Sequence, residues 1–336
     1  MTYSIQESRT DEVLRISGLK IYYKGDLGLV KAVDGVSLSI NRGSSLAIVG
    51  ESGSGKTTLG HAIMRLLPYN AVIAGGEIIF NGRNVLSLSK EELRKLRGYR
   101  LTMVFQEPSA ALNPVFKIGS FLRDVLKKGK GALMSESELK EEMISLLRKV
   151  RIPSPEEVLN KYPHELSGGM KQRVLIAAAI ANGPDLMIAD EPTSALDVSV
   201  QAQILKLLDE LRAKMGLSLI FITHNLGVAA QVSDQIAVMY AGKIMELAPT
   251  SSIFETPKHP YTSMLLKTIP TIRRELKKEG LAAIPGSLPD LTSPPPGCRF
   301  HPRCPMAMED CRKVDPEPIE VEKGHFVSCL LYRDKA

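Results

Sequence analysis

The sequence has no tryptophan, few aromatic residues and no long apolar run, and these shortages exclude classes of protein. Aromatic residues make up 5% of the 336 residues, too few for the stacking platforms on which single-stranded nucleic acids bind. The longest apolar run, "VLIAAAIA" at 174–181, is far shorter than the roughly 18 residues that a membrane-spanning helix needs. The start, "MTYSIQESRTDEV", lacks the basic and apolar segments of a secretory signal. We therefore expect a cytoplasmic protein.

The formal net charge of +6 would suit a nucleic acid or an anionic membrane surface as partner. The lysines and arginines are, however, spread along the chain, and runs such as "SKEELRKLR" mix both signs as a solvated helix face does. We expect no nucleic-acid partner.

Hydrophobic periodicity predicts an α/β fold. Residues 12–50 alternate as strands do, and "SLAIVG" at 45–50 is a nearly continuous apolar run of the kind buried in a parallel sheet. "TTLGHAIMRLLP" follows with apolar residues at helical spacing up to Leu66, and we expect this helix to stop at Pro68.

A second helical segment, "SESELKEEMISLLRKV", opens with a capping-box pattern formed by Ser135 and Glu138. Its apolar residues fall on one helix face and indicate a helical insert: Leu139, Met143, Leu147 and Val150.

Two further apolar strands, 186–190 and 218–224, flank a helix that should end at Gly216, which predicts a parallel sheet. "QIAVMYAGKIMELA" predicts a hairpin that turns near residues 241–242. The later segment "PGSLPDLTSPPPGC" is too rich in proline for ordinary helix and indicates a linker or an extended arm. We place a domain boundary near residue 250.

"GESGSGKT" fits the phosphate-loop pattern G-x-x-x-x-G-K-[ST] and lies between a predicted strand and a predicted helix, as that pattern requires. Glycines let the main chain wrap around phosphates so that amide hydrogens and the helix start face the negative charge. Lys56 should reach the outer phosphates, and the Thr57 hydroxyl should bind magnesium. The candidate nucleotide-binding residues of this segment are Gly50, Ser52, Gly53, Ser54, Gly55, Lys56, Thr57 and Thr58.

An acidic pair stands at the end of the strand "LMIAD", with Asp190 as its last residue and Glu191 directly after it. Asp190 should bind magnesium, usually through water, and Glu191 can polarise the water that attacks the γ-phosphate. "LSGGMKQR" places Ser167, Gly168 and Gly169 at the start of a long helix, where exposed amides form a second anion site. Close packing at a helix start would explain one glycine better than all three residues.

These motifs, with "LMIADEPTSALD" and "FITHN" downstream, resemble the ATP-binding subunits of ABC transporters over residues 12–250. The resemblance implies a P-loop ABC-type ATPase, in which a mixed sheet core and a helical subdomain form one α/β domain. We expect this nucleotide-binding domain at 1–250, with its helical subdomain at about 107–183, and a small C-terminal extension rich in proline and cysteine at 251–336.

The resemblance also implies roles for individual residues. Tyr23 sits where the family stacks an aromatic ring on adenine, although the neighbouring Tyr22 is an alternative. Gln106 resembles the glutamine that touches magnesium or water and reports to the membrane subunits, and His224 the histidine that contacts the γ-phosphate. Asp197 resembles part of the loop that meets the partner subunit.

In this family the "LSGG" amides cap the γ-phosphate held by the other subunit, so each ATP site needs two chains. Met170 replaces the commoner glutamine after the two glycines. Every catalytic position is filled, and we expect a subunit that is competent in hydrolysis.

"FQEPSAALNPVFKIG", "HPYTSMLLKTIP" and "GCRFHPRCP" narrow the resemblance to the prokaryotic dipeptide and oligopeptide import ATPases. It implies a peripheral protein on the cytoplasmic face of the membrane. Its expected partners are a sister ATPase in a heterodimer, two membrane permease subunits and an extracytoplasmic substrate-binding protein.

The four cysteines, Cys298, Cys304, Cys311 and Cys329, are separated by five, six and seventeen residues. Disulfides are disfavoured in reducing cytosol, and structural zinc prefers tighter pairs, but spacing leaves zinc and an iron–sulfur cluster open. The resemblance favours a [4Fe–4S] cluster, which several peptide-importer ATPases carry on a matching arm. We interpret His301 and His325 as solvated loop residues rather than ligands.

Three other functions fit parts of the pattern. A soluble ABC ATPase acting on nucleic acid or ribosomes would carry tandem ATPase domains or coiled-coil insertions, which this sequence lacks. A redox enzyme would leave the hydrolytic residues unexplained. Relatives with the same architecture import oligosaccharides or nickel, and the ATPase sequence does not distinguish these substrates from peptides.

Overall fold

A computed structural model of the chain describes residues 11–269 and 284–335. Most of the polar N-terminal stretch and the last residue of "HPYTSMLLKTIP" lie outside the described residues. The described chain divides into two compact units. The first contains the residues up to Leu86 and those from Phe221 onward, and the second is Ser87–Ile220.

The first unit opens with strands and one short helix. Its elements up to residue 86 are β1 (Glu12–Gly25), β2 (Gly28–Asn41), β3 (Ser45–Val49), α1 (Lys56–Ile63), β4 (Ala71–Phe80) and β5 (Arg83–Asn84).

The second unit is mostly helical. Its elements are α2 (Lys90–Leu96), β6 (Leu101–Val104), α3 (Pro108–Ala111), α4 (Ile118–Lys127), α5 (Glu136–Lys149), α6 (Pro155–Val158), α7 (Gly168–Ile180), β7 (Leu186–Asp190), α8 (Val198–Met215) and β8 (Ser218–Thr223), along which the chain passes back to the first unit.

The remaining elements belong to the first unit. They are α9 (Leu226–Ala229), β9 (Gln235–Tyr240), β10 (Lys243–Pro249), α10 (Thr250–Glu255), α11 (Pro260–Lys267), β11 (Ile319–Glu322) and β12 (His325–Val327).

Two strand arrangements build the first unit. One is an antiparallel sheet in the order β2-β1-β4-β5. In the other, β3 pairs with β9 in parallel, and β9, β10, β12 and β11 follow in antiparallel pairs. The strands of the C-terminal extension therefore continue the sheet that carries the phosphate loop. In the second unit, β6 and β7 pair in parallel.

Most predicted elements are confirmed. The capping box of Ser135 and Glu138 starts α5, whose predicted apolar face is buried. Gly216 ends α8 in the left-handed conformation with φ 64°, as a C-terminal glycine does. The turn between β9 and β10 uses Ala241 and Gly242, both with positive φ, which suits a two-residue hairpin.

The helix after the phosphate loop is shorter than predicted. It ends at Ile63 rather than near Pro68. Arg65 takes a positive φ of 51°, which a right-handed helix cannot contain, and Leu66 is 37% exposed. The tight turn at Arg65 therefore overrides the helical spacing that runs on to Leu66.

The C-terminal extension packs on the core of the first unit. Phe300 is fully buried, and its ring lies 5.2 Å from that of Tyr240 and 5.1 Å from that of Tyr261, centroid to centroid. Cys298 and Cys311 join the same cluster of buried residues, together with Val49 and other core residues of the main sheet. Burial against an existing core stabilises an extension that has few large apolar residues of its own.

A buried carboxylate ties the extension to β10. Glu246 is fully buried and accepts hydrogen bonds from the amides of Lys258 and His259, at 2.7 and 2.9 Å. His325 Nε2 lies 2.7 Å from the same carboxylate and is 1% exposed. The interpretation of His325 as a solvated loop residue is therefore wrong, because β12 carries it into the sheet beside Glu246. These bonds offset the cost of burying the charge and hold the pKa of Glu246 below its ordinary value despite its burial.

Within the described residues, none of the helices combines the length and the apolar composition that a bilayer crossing requires.

His259 should make stability depend on pH. Its Nδ1 accepts the Tyr261 amide at 3.0 Å and caps α11, and burial lowers its pKa from 6.5 to about 4. The folded state resists a proton that the unfolded chain accepts, so stability is lost as pH falls from 6.5 towards 4. Between pH 7.5 and 5.0 this one group should remove on the order of 2 kcal/mol of unfolding free energy.

Urea unfolding of the wild type and of His259→Asn at both pH values tests this effect. Asparagine keeps an acceptor for the Tyr261 amide but does not titrate in this range. The wild type should lose more unfolding free energy than the variant, and equal losses would show that His259 does not cause the pH dependence.

Candidate active site

The phosphate loop, Gly50–Thr57, runs from the end of β3 into the first turn of α1 and packs against the main chain of its neighbours. A Cβ at Gly50 would meet the carbonyl oxygen of Met239 at 2.0 Å, and one at Gly55 would meet that of Ala32 at 2.0 Å. Gly55 also has a φ of 102°, which only glycine adopts readily. Close approach thus explains the first and last glycines of the motif without any ligand.

Lys56 lies with its ammonium group at the centre of this loop. Nζ donates to the carbonyl oxygens of Gly50 and Glu51, each at 2.8 Å, and lies 3.5 Å from Ser54 Oγ. The side chain is buried, and the charge is solvated by the loop's own oxygen atoms. The loop therefore holds one positive charge where the motif expects phosphate.

The start of α1 supplies further anion-binding groups. Gly55 caps the helix without a side-chain hydrogen bond. Amide groups at a helix start are suited to phosphate oxygens. Thr57 and Thr58 lie in the first turn.

The structure distinguishes the two adjacent tyrosines of β1. Tyr23 Oη donates to Thr58 Oγ1 at 3.0 Å, which places this ring beside the phosphate loop. Tyr22 Oη instead donates to Asp34 at 2.7 Å, and burial, followed by this bond, raises the pKa of Tyr22 to about 12. The location of Tyr23 supports it over Tyr22 as the aromatic residue next to a nucleotide.

His224 directly follows β8 and is exposed. Asn225 caps α9 through hydrogen bonds from the amides of Gly227 and Val228 and donates its own amide to Thr223 Oγ1 at 3.1 Å. These bonds fix the backbone at the strand end. The His224 side chain is thus presented from a rigid turn.

In the second unit, the acidic pair lies at the end of β7, which Asp190 closes and Glu191 follows. Asp190 is buried at the strand end, and Glu191 takes a positive φ of 43°. Such a conformation costs a residue with a side chain roughly 1–2 kcal/mol and often marks a functional position. Gln106 Nε2, just beyond β6, donates to the Glu191 carboxylate at 3.3 Å. The structure therefore brings two predicted catalytic residues into contact.

The "LSGG" segment begins α7. Ser167 caps the helix and accepts the Met170 amide at 3.3 Å. A Cβ at Gly169 would meet Val200 Cγ1 at 2.6 Å, so packing requires this glycine, whereas a Cβ at Gly168 would approach Leu196 only to 3.4 Å. Ser167 and Gly168 are exposed. Packing accounts for one glycine, and the other stands at an exposed helix start that can bind an anion.

Asp197 has a local role that sequence reasoning missed. Its carboxylate caps α8 by accepting the Val200 amide at 2.9 Å and the Ser199 hydroxyl at 2.7 Å. These bonds hold the pKa of Asp197 below its ordinary value, and the bond from the Ser199 hydroxyl has the largest effect. The pattern Asp-Val-Ser-Val before an apolar helix was a sequence signal for such a cap.

The four cysteines lie together in the extension of the first unit. All four are described and are free thiols; Cys304 is half-buried and the others are buried. The Cys298 amide donates to the Cys311 carbonyl oxygen at 2.9 Å. Burial raises the pKa of Cys298 to about 12 and of Cys329 to about 11, and the neighbouring thiols add to both effects.

The arrangement of these thiols is not that of a preformed metal site. No three His, Cys, Asp or Glu side chains among the described residues are placed to hold a metal ion. His301 Nδ1 lies 2.9 Å from the Cys298 carbonyl oxygen rather than beside a thiol. The chemistry of the donors fits a thiolate-bound metal, but the arrangement shows only that they gather in one place.

Two residues beside the phosphate loop were not predicted. Tyr261 Oη accepts the Glu51 amide at 3.1 Å, and Arg303 Nη1 lies 3.1 and 3.0 Å from the Glu51 carboxylate oxygens. Both belong to sequence motifs, "HPYT" and "HPRCP", whose separation from the loop by about 200 residues or more hid the contact.

Comparison with known proteins gives two family matches. The model described as "ABC transporter" matches residues 33–194, and that described as "Oligopeptide/dipeptide transporter, C-terminal region" matches residues 245–311. Together they include the phosphate loop, the acidic pair and three of the four cysteines.

Curated relatives align along almost the whole chain. The dipeptide transport ATP-binding protein DppD of Bacillus subtilis is 45% identical over 327 residues, which is 97% of this chain and 96% of the relative. A probable peptide ABC transporter ATP-binding protein of Sinorhizobium fredii is 44% identical over 323 residues, 96% of this chain and 95% of the relative.

A solved ATP-binding cassette, dimeric and bound to ADP and Pi in a post-hydrolysis state, has a similar fold. It superposes with a TM-score of 0.63 at 28% identity and covers 70% of this chain and 98% of its own. The ABC-type ATPase fold expected from the sequence is confirmed. The chain belongs to the ABC transporter family, among the ATP-binding subunits of dipeptide and oligopeptide transporters.

Proposed function

We propose that this protein hydrolyses ATP to power the import of peptides through a membrane ABC transporter. The phosphate loop carries the proposal, because its buried lysine and the helix start that follows provide a charge and amides for a nucleotide's phosphates. Family membership supports it, and relatives that align along nearly the full chain are named as dipeptide or oligopeptide transport proteins.

In this proposal, Lys56 and the amides of the phosphate loop bind the outer phosphates of ATP, and Tyr23 stacks on the adenine. Thr57, Asp190 and Gln106 are the residues that would hold magnesium. The bound metal would supply positive charge, beside that of Lys56, for the transferred phosphoryl group. Oxygen donors of these types are those that magnesium prefers.

Glu191 is the proposed general base. It polarises the attacking water, while His224 orients the water and contacts the γ-phosphate. The hydrogen bond from Gln106 restricts the Glu191 carboxylate, and the strained backbone at Glu191 is consistent with a position selected for chemistry.

A second ATPase chain completes each site. Ser167 and Gly168 at the start of α7 and Asp197 are exposed, which is what contact with a partner's nucleotide requires. We propose a heterodimer with a sister ATPase on the cytoplasmic face of the membrane, served by an extracytoplasmic binding protein. Peptides are the proposed cargo, and the ligand of the cognate binding protein would distinguish them from oligosaccharides or nickel.

An exposed apolar loop between α3 and α4 supports a permease contact in the second unit. Val115 is 69% and Phe116 57% exposed, on the segment that follows Gln106. Apolar groups this exposed are a feature of protein interaction sites. We propose that this loop docks a cytoplasmic segment of a permease subunit.

We propose that the four cysteines hold a [4Fe–4S] cluster, with zinc as the alternative. Two observations support this metal site: the four free thiols lie in one place, and three of them are buried. A bound cation would displace the thiol protons and stabilise an extension with little regular structure. The residues that would hold it are Cys298, Cys304, Cys311 and Cys329.

Glu191→Gln should retain MgATP binding, accumulate a closed dimer with the sister ATPase and lose at least about a hundredfold in turnover, because the amide cannot accept the water's proton. Lys56→Ala should instead weaken nucleotide binding. Nucleotide titration, phosphate release and size-exclusion chromatography measure the three effects. If Glu191→Gln hydrolysed ATP at the wild-type rate, Glu191 would not be the general base.

Phe116→Ser should reduce copurification with the permease subunits while leaving the subunit folded. The matched control is Leu133→Ser, at a residue of the same unit that is 100% exposed and lies outside the proposed loop. Pull-down from co-expressed transporter and thermal unfolding of each variant are the measurements. Equal copurification of both variants and the wild type would contradict the docking proposal.

Protein purified without oxygen should contain about four iron atoms and four acid-labile sulfides per chain and absorb broadly in the visible range. Serine in place of Cys298 should remove most of this iron. Iron and sulfide analysis with optical spectra provides the test, and one zinc per chain in place of iron would favour the alternative.

A further inference from the structure

Glu51, the second residue of the phosphate loop, is held from three sides. Its carboxylate contacts Arg303, its amide donates to Tyr261, and its carbonyl oxygen accepts from Lys56 at 2.8 Å. The phosphate-loop pattern places no requirement on this position. The contacts therefore need a reason beyond the motif itself.

Tyr261 is a rigid acceptor for the Glu51 amide. It lies at the start of α11, is fully buried and packs edge-on against Tyr240 at 4.7 Å between ring centroids. His259 caps the helix beneath it, and Glu246 binds the His259 amide. The histidine and tyrosine of "HPYT" thus form one hydrogen-bonded path from β10 to the phosphate loop.

Arg303 is held as firmly. Nε donates to the Pro285 carbonyl oxygen at 2.8 Å, Nη2 lies 3.3 Å from the Ile284 carbonyl oxygen, and Nη1 lies 3.3 Å from Tyr240 Oη as well as contacting Glu51. The side chain is only 7% exposed. A planar group with every nitrogen engaged has one orientation, so Arg303 fixes the carboxylate that it contacts.

The other end of α11 reaches a second part of the candidate site. Leu265, Thr268 and Ile269 line a cavity of about 200 Å³ together with His224 and Asn225. Leu265 also packs in the same core cluster as Leu226, which starts α9. One helix of the extension therefore borders both the phosphate loop and the turn that presents His224.

We infer that Tyr261 and Arg303 are positioning residues that hold the phosphate loop in its binding conformation. Lys56 Nζ uses two of its three hydrogens on the carbonyl oxygens of Gly50 and Glu51, and a move of this group towards phosphate would weaken these two bonds. The contacts to the Glu51 amide and carboxylate remain. A loop that stays ordered at this point loses less conformational freedom when ATP binds.

This inference rests on the proposed ATP binding and deepens it. It assigns to the C-terminal extension a direct part in nucleotide affinity. Arg303 is directly followed by Cys304, so the segment that carries the thiols also contacts the phosphate loop.

A mutational cycle in the full-length protein tests the inference. Arg303→Ala and Glu51→Ala should each weaken MgATP binding by at least roughly tenfold, as expected for the loss of a charge-assisted hydrogen bond. The MgATP affinity of the double variant should equal that of the single variant with the lower affinity, because each substitution removes the same interaction. The KM for ATP should rise by a similar factor while kcat changes less.

Tyr261→Phe should weaken MgATP binding roughly threefold, since one neutral acceptor is lost. Arg299→Ala is the matched control. Arg299 is another buried arginine of the extension, paired with Asp34 and with the Ala241 carbonyl oxygen rather than with the loop. It should lower the unfolding temperature but keep wild-type MgATP affinity.

Several results would overturn the inference. Additive effects of Arg303→Ala and Glu51→Ala on affinity would show that they do not act through one contact, and equal weakening by Arg299→Ala would indicate general loss of structure. Should Arg303→Ala not fold, Arg303→Lys and Tyr261→Phe decide, and wild-type affinity in both would overturn it. A wild-type protein that does not bind MgATP would overturn the proposed function as well, whereas normal wild-type binding with unchanged variants would overturn this inference alone.

Discussion

A phosphate-binding loop has to be stabilised by contacts on the side away from the ligand, because the amides that bind the ligand cannot also stabilise the loop. Here the support comes from main chain and from distant residues. Gly50 and Gly55 let the loop lie directly against the carbonyl oxygens of Met239 and Ala32, closer than any side chain would permit. Lys56 donates hydrogen bonds to carbonyl oxygens of the loop, and Tyr261, which belongs to the C-terminal extension, accepts the Glu51 amide. The first unit is organised around this need.

In the second unit, local hydrogen bonds and backbone conformations hold the functional groups in place. Its functional groups lie at the ends of strands and the starts of helices, where backbone groups lack partners within the element. Ser167 and Asp197 cap their helices with their own side chains, and Glu191 takes a backbone conformation that costs free energy. The exposed start of α7 at Ser167 and Gly168 and the contact between Gln106 and Glu191 follow from this arrangement.

The C-terminal extension is a continuation of the first unit. It adds β11 and β12 to the sheet, inserts Phe300 into the aromatic cluster and surrounds the buried Glu246 with donors. A buried carboxylate with several hydrogen bonds is costly to disrupt, which makes it a specific anchor. The extension therefore has a structural reason to be rigid where it meets the phosphate loop.

Much of the fold and of the candidate site could be predicted from the residues alone. The phosphate loop, the acidic pair and the helix start at Ser167 depend on local backbone chemistry, so short motifs with the right flanking strands and helices reveal them. Periodicity likewise predicts α5 and α8, whose caps and buried faces are local properties. The family of the chain follows from the same segments.

Tertiary packing decided the rest. The burial of His325 and the contacts of Tyr261 and Arg303 with Glu51 depend on residues that are neighbours in space and far apart along the chain. No periodicity or spacing records such a contact, because the identity of a buried polar residue reflects the partner that folding brings to it. A histidine in a proline-rich tail looks solvated until a strand pairing places it beside a carboxylate.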